Sequence, residues 1–327
     1  MRLGARHAVA MNSGTAAIHA ALEAIQIGPG DDVITTPFTF VATATPILMQ
    51  RANVKFADID ARTFNVDSEA VSRAITAETR AAIAVDLFGL PAIVSQPSLY
   101  SRGVTLIEDA CQAVGATLRG AAAGTLGRMA AFSFYATKNI TAGEGGMLVT
   151  NDEDIAKCAR RFREHGGREM GQYTVLGYNY RLTDIAAAIG RVQLSRLDAL
   201  TAKRRRNAEF YDEHLGGIAG LATPYVPDGA KHVYHQYSIL IDECQTPNGI
   251  GRDALFTFLA ERSIEAGIYY PKPLHLQPLF SSAGYGRGDF PIAERVANQI
   301  LSLPIHPSLS QVQLDAVVSG VRAAIGL

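Results

Sequence analysis

Four short, almost uninterrupted apolar runs constrain this chain most. They are "AAIAVDLFG" at 81–89, "VTLIEDA" at 104–110, "MAAFSFYA" at 129–136 and "GGMLVTND" at 145–152. A strand with one wet face alternates apolar and polar residues. A nearly continuous run is what a strand needs when both faces are covered, as in a parallel sheet between helices. The cover is visible in the same half of the chain. "TAAIHAALEAI" at 15–25 carries apolar residues at helical spacing and ends at the turn "GPGDD". The β-branched "DVITTP" and then "NVKFADID" supply further strands. Strands interleaved with helices predict an α/β fold with a mostly parallel central sheet covered by helices. With 327 residues and 48% hydrophobic side chains, the chain can fill that core and a smaller second one. Residues 184–215 read as one long helix, with apolar Ile185, Ala188, Ile189, Val192 and Leu197 before the basic run "KRRR". Beyond it "HQYSILID" and "RDALFTFLAERSI" read as strand and helix. The expected division is therefore a large domain over 1–215 and a small C-terminal α+β domain over 216–327.

Composition removes several function classes. A formal net charge of −1 leaves no basic excess for nucleic acid. Three scattered cysteines, Cys111, Cys158 and Cys244, make neither a disulfide framework nor a CxxC metal site, and they fit a reducing compartment. No apolar run reaches 18 residues, so no membrane span is expected. The start, "MRLGARHAVAMNSGT", is basic, but Asn12, Ser13 and Gly14 interrupt its apolar stretch too early for a signal peptide. The expected location is the cytoplasm.

Parallel sheets bind ligands beyond the carboxyl ends of their strands. Asp109 ends one predicted strand there, Ser133 lies in the next, and Lys138 follows it directly. Near the amino end, "NSGT" immediately precedes a helix, whose free N–H groups make an anion site to which Ser13 and Thr15 add hydroxyls. Each feature has an ordinary reading: an N-cap, a strand-ending turn residue, a solvated surface lysine. Together they offer a phosphate cradle, a carboxylate and an amine, which pyridoxal phosphate (PLP) demands. Other phosphate motifs are missing: there is no GxxxxGK[ST], and "GEGG" does not complete GxGxxG. No HExxH zinc motif occurs, and no metal is expected.

Longer stretches carry a resemblance. "GARHAVAMNSGTAAIHAAL", "TPFTFVATA", "IEDACQAVGA", "FSFYATKNITAGEGGMLVT", "GYNYRLTDIAAAIGRVQL", "IYYPKPLHLQPLF" and "FPIAERVANQILSLPIHPSLS" resemble, in this order and nearly end to end, the DegT/StrS family of PLP-dependent sugar-nucleotide aminotransferases. The resemblance implies the aspartate-aminotransferase fold, fold type I. It implies that Lys138 is the Schiff-base lysine and proton shuttle, and that Asp109 partners the pyridine nitrogen. Gln112 resembles the residue near the ring oxygen, Ser133 a phosphate ligand beside Ser13, Gly14 and Thr15, and Phe40 the aromatic over the ring face. Asn179 and Arg181, in "GYNYR", resemble residues given by the partner subunit of a homodimer with shared sites, to the phosphate and the sugar nucleotide respectively. Tyr269 and Tyr270 stand where relatives often carry His-Tyr near the sugar nucleotide, and His275 is a further candidate for substrate contact. The chain begins almost inside the first motif, where family members carry an additional opening helix.

The implied activity is transfer of an amino group, expected from glutamate, to a keto sugar of a nucleotide sugar, giving an amino sugar for a polysaccharide, glycan or antibiotic. Two alternatives stand beside it. Some relatives are dehydratases with histidine in place of the lysine, which Lys138 argues against. The other is a non-catalytic regulatory or binding homologue.

Overall fold

The computed structural model describes residues 3–94, 96–169 and 171–327. Its centre is a seven-stranded sheet built from β1 (His7–Met11), β2 (Asp32–Thr35), β3 (Asn53–Phe56), β4 (Thr79–Val85), β5 (Thr105–Asp109), β6 (Met129–Ser133) and β7 (Gly146–Thr150). The order across the sheet is β1-β7-β6-β5-β4-β2-β3. The pairs from β3 to β6 are parallel, whereas β7 runs against both β6 and β1. Two reversals restore direction, so β1 is parallel to β6 and β7 alone is reversed within this sheet. Val85 faces Asp109, and Asp109 faces Ala131. The carboxyl ends of β1, β5 and β6 therefore reach one edge, and that edge carries the site.

Helix α1 (Gly14–Ala24) lies on the sheet with eight buried residues. Its outer side is closed by α2 (Glu153–Arg163), which buries Ile155, Ala156, Ala159 and Phe162 at helical spacing. Asp152 caps α2, its carboxylate accepting the N–H groups of Asp154 and Ile155.

The predicted helix over 184–215 is two helices, α3 (Asp184–Ser195) and α4 (Leu197–Leu215), meeting at Arg196. The Ser195 hydroxyl donates to the Val192 carbonyl, and the Arg196 N–H turns back to Gln193. Such local bonds compete with the helical ladder and end it. The two helices also have different fates. Leu197 is buried, yet α3 buries none of its residues, and Ile185 and Val192 are 77% and 62% exposed.

Helix α4 leads to a second core. There β8 (Leu221–Ala222), β9 (Tyr237–Ile241) and β10 (Ile300–Leu303) form an antiparallel sheet with β9 in the middle. It packs with α5 (Arg252–Ala260) and α6 (Gln311–Ala324) around Tyr211, Tyr237, Leu259, Leu301 and Val321. Tyr211 and Tyr237 are fully buried and keep their hydroxyls satisfied, one by the Pro304 carbonyl and one by the Asp212 carboxylate. No helix among the described residues is long and apolar enough to cross a membrane.

Candidate active site

A cavity of about 560 Å³ opens at the carboxyl edge of the large sheet. Strand β5 delivers Asp109 to it, β6 ends there at Ser133, and the turn after β6 brings Lys138. The amino end of α1 contributes Ser13, Gly14 and Thr15. Phe40, Gln112, Tyr269 and Tyr270 complete the set of predicted residues on this wall.

Asp109 is 5% exposed and makes no ion pair closer than 4 Å among the described residues. Thr43 donates to its Oδ2 at 2.7 Å, and the Cys111 N–H donates to Oδ1 at 3.2 Å. Thr39 and Thr43 share a 3.0 Å hydroxyl contact, so a short chain of hydroxyls ends on the carboxylate. Two further buried carboxyls, Glu108 and Asp86, are near it. Glu108 takes the N–H groups of Gly124, Leu126 and Gly127, which oppose the upward push that burial gives its carboxyl. Asp86 is fully buried; its Oδ1 accepts the Ala92 N–H, and its carboxyl is also hydrogen-bonded with Glu108. Burial, reinforced by Glu108, pushes the Asp86 carboxyl well above its ordinary range.

Burial pushes the Lys138 amine below its ordinary value, opposed by Cys111 and Asp109. Burial also raises the Cys111 thiol, with Asp109 adding to the effect. An amine of lowered basicity and a carboxylate thus share this cavity.

Two glycines let the backbone close around the α1 terminus. A Cβ on Gly14 would stand 2.7 Å from Cys111 Sγ and 3.1 Å from Ser133 Cβ. One on Gly146, the second glycine after Glu144, would stand 2.1 Å from the Ser13 carbonyl oxygen. The last glycine of "GEGG" therefore serves the approach of β7 to the start of α1. Ser13 caps α1 by accepting the Ala16 N–H at 3.1 Å, and the Ser133 hydroxyl accepts the Tyr135 N–H at 3.3 Å. Gln112 is held at both ends: Oε1 accepts the Phe88 N–H, and Nε2 donates to the Tyr270 hydroxyl at 3.3 Å. One N–H of that amide stays free for a ligand. The Phe40 ring is 57% exposed and lies 6.5 Å from Tyr270.

Three predicted residues lie elsewhere. Asn179 and Arg181 are exposed and do not line this cavity; Arg181 pairs with Glu164 at 2.7 Å. His275, expected at the substrate, is a core residue. Its Nε2 meets Glu294 at 3.1 Å, its ring packs on Phe290, and it is 2% exposed. The neighbouring Leu274 N–H is bonded to the Pro37 carbonyl, which ties this segment inward. Sequence reasoning also missed Thr43, Tyr135, Thr137, His235 and Gln236, which all line the cavity. Thr43 sat in the motif "TFVAT", three residues past Phe40. His235 and Gln236 come from the entry to β9, remote in sequence, and no local signal marked them.

A half-buried lysine and a buried carboxylate thus stand beside a helix start, at the edge of a mostly parallel sheet. The solved structure of S. venezuelae DesV in complex with a ketimine intermediate superimposes with a TM-score of 0.93 at 34% identity, covering 99% of this chain and 86% of that one. Residues 2–322 match the DegT/DnrJ/EryC1/StrS aminotransferase family, and the chain belongs to it. Among its relatives, a protein of Geobacillus stearothermophilus named a pleiotropic regulatory protein is 44% identical, over 97% of this chain and 84% of its own length. A UDP-N-acetyl-3-dehydro-alpha-D-glucosamine 3-aminotransferase of Acidithiobacillus ferrooxidans is 39% identical, over 98% and 85%.

Proposed function

We propose that this protein is an aminotransferase that uses PLP to move an amino group from an amino acid, glutamate in the first instance, to a keto sugar carried on a nucleotide. The observation that carries the reading is the meeting of Lys138, Asp109 and the α1 amino terminus in one cavity.

The residues present fit the cofactor. The buried Asp109 carboxylate makes no ion pair within 4 Å among the described residues, and the cradle at Gly14 is one that a single Cβ would fill. PLP supplies an electron sink for the bond next to the transferred nitrogen. Everything else falls to the chain. Lys138 would anchor the cofactor covalently and then carry the proton at the substrate carbon, a task suited to an amine whose basicity burial has lowered. Asp109, steadied by Thr43 and Cys111, would keep the ring nitrogen protonated. Ser13, Gly14, Thr15 and Ser133 would hold the phosphate. Phe40 would cover the ring, Gln112 would meet the ring oxygen, and Tyr269 and Tyr270 would face the sugar nucleotide.

The shared-site homodimer belongs to the same reading. Asn179 and Arg181 are exposed and do not line the cavity of their own chain, and apolar residues of α3 that follow them, Ile185, Ile189 and Val192, stand in solvent. A second copy packed on α3 would cover those residues and bring Asn179 to the phosphate and Arg181 to the sugar nucleotide.

The test is spectroscopic. Added PLP gives a visible band, glutamate bleaches it, and one of a panel of keto-sugar nucleotides restores it. Borohydride should then fix the cofactor on the peptide that holds Lys138. Label on another lysine refutes the assignment. A protein that takes PLP but is never bleached by an amino acid is a regulatory homologue, the reading that the Geobacillus relative's name favours.

A further inference from the structure

A second cleft, of about 940 Å³, continues from the Lys138 cavity. The two share Thr137, His235, Gln236 and Tyr269. The far wall is the segment from 260 to 267 and the exposed side of α6. Arg204, from α4, lines the same cleft and is only 7% exposed.

The surroundings of Arg204 are unusual for a buried cation. Its Nη1 donates to the carbonyls of Tyr234 at 3.0 Å and His235 at 3.5 Å. Its Nε is buried without a hydrogen-bond partner. Burial alone brings the guanidinium down to about 10, with no acidic neighbour acting against the effect. It stays charged near neutral pH. A buried charge is costly unless an opposite charge meets it. The acid on the cleft wall is Glu265, which is exposed, and Arg262 is occupied by the Phe258 ring and by Glu261. His235 adds no charge, because burial holds its imidazole well below the ordinary value, with Lys138 and Arg204 acting the same way. Holding two carbonyls uses one nitrogen of the fork and leaves the rest of the guanidinium unmatched.

We propose that Arg204 anchors an oxyanion of a substrate in this cleft, beside the cofactor cavity. The proposal rests on the aminotransferase reading, because both substrates of that reaction are anions: an amino-acid carboxylate and a nucleotide diphosphate. A guanidinium fork suits either group.

Calorimetric titration with UDP and with 2-oxoglutarate, with and without PLP, tests this. Arg204→Gln removes the charge but keeps an amide to bond the Tyr234 carbonyl. Ala316→Glu, at an exposed α6 position on the cleft wall, sets a competing carboxylate in the cleft without touching the core. Both variants should weaken one probe about ten- to hundredfold, the range expected for losing a charged hydrogen bond. Loss confined to UDP assigns the subsite to the nucleotide, and loss confined to 2-oxoglutarate assigns it to the amino donor. If wild type binds neither probe, or if both probes bind the variants as they bind wild type, the proposal is overturned. Should Arg204→Gln fail to fold, Ala316→Glu decides alone. Uptake of PLP is read separately from its visible band, so failure of the cofactor reading is seen apart from failure of the cleft.

Discussion

The Thr43 hydroxyl offers a sharp test of how Asp109 is held. It donates to the carboxylate at 2.7 Å, inside a region where Thr43 is 2% and Asp109 5% exposed. Thr43→Val keeps the shape and deletes the donor. Asp109 is left with the longer Cys111 N–H bond, and Thr39 loses its hydroxyl partner. A hydrogen bond to a charged group contributes about 1.5–3 kcal/mol, and the added methyl returns a fraction of that. The expected loss is about 2 kcal/mol. With a urea slope near 3 kcal/mol per molar, the unfolding midpoint should fall by roughly 0.7 M. The same substitution in an Asp109→Asn background should cost less than about 1 kcal/mol, because the charge that Thr43 serves is gone. The cycle thus separates service to the carboxylate from general packing. PLP dissociation, followed by its visible band, should rise about tenfold in Thr43→Val as the carboxylate loses its fixed position. If the cost is below about 0.5 kcal/mol, or is equal in both backgrounds, Thr43 does not hold Asp109 and the hydroxyl chain is incidental.

Asp109→Asn should lower turnover by several powers of ten with the fold intact, each tenfold being about 1.4 kcal/mol of barrier; near-normal turnover would place the ring-nitrogen partner elsewhere. Mixing inactive Lys138→Ala subunits with inactive Arg181→Ala subunits should restore activity, since a shared-site dimer leaves one of the two sites whole; mixed dimers that form and stay dead refute it. Acid should destabilise the protein through His19. Burial lowers this imidazole to about 4, so the folded state is neutral where the unfolded one, near 6.5, takes a proton. Stability is complete above pH 6.5 and is lost as pH falls toward 4, by about 2–3 kcal/mol at the lower limit. His19→Gln, which keeps a donor for Tyr180, should flatten the pH dependence of the urea midpoint over that window, and an unchanged slope would show that His19 does not set it.

Local patterns in the chain determined the elements of the large sheet. The continuous apolar runs at 81–89, 104–110 and 129–136 became β4, β5 and β6 because strands covered on both faces have no room for a polar alternate residue. The order of those strands along the chain also put Asp109 at one strand end and Lys138 in the turn beyond another, where a parallel sheet offers its ligand site. Neighbours along the chain could not reveal the rest. Asp109 owes its fixed position to Thr43, 66 residues away, and the cavity's far side to His235 and Tyr270, which arrive from the second core. His275 looked like a substrate ligand beside its prolines, yet Glu294 and Phe290 draw it into the core. The apolar residues of α3, Ile185, Ile189 and Val192, lie in solvent, because period alone states that a face wants covering and not what covers it. Sequence determines which segments must be buried and which groups can do chemistry. Tertiary structure decides which of those groups meet, since burial, hydrogen-bond distance and the cost of an unmatched charge exist only between segments that the fold has brought together.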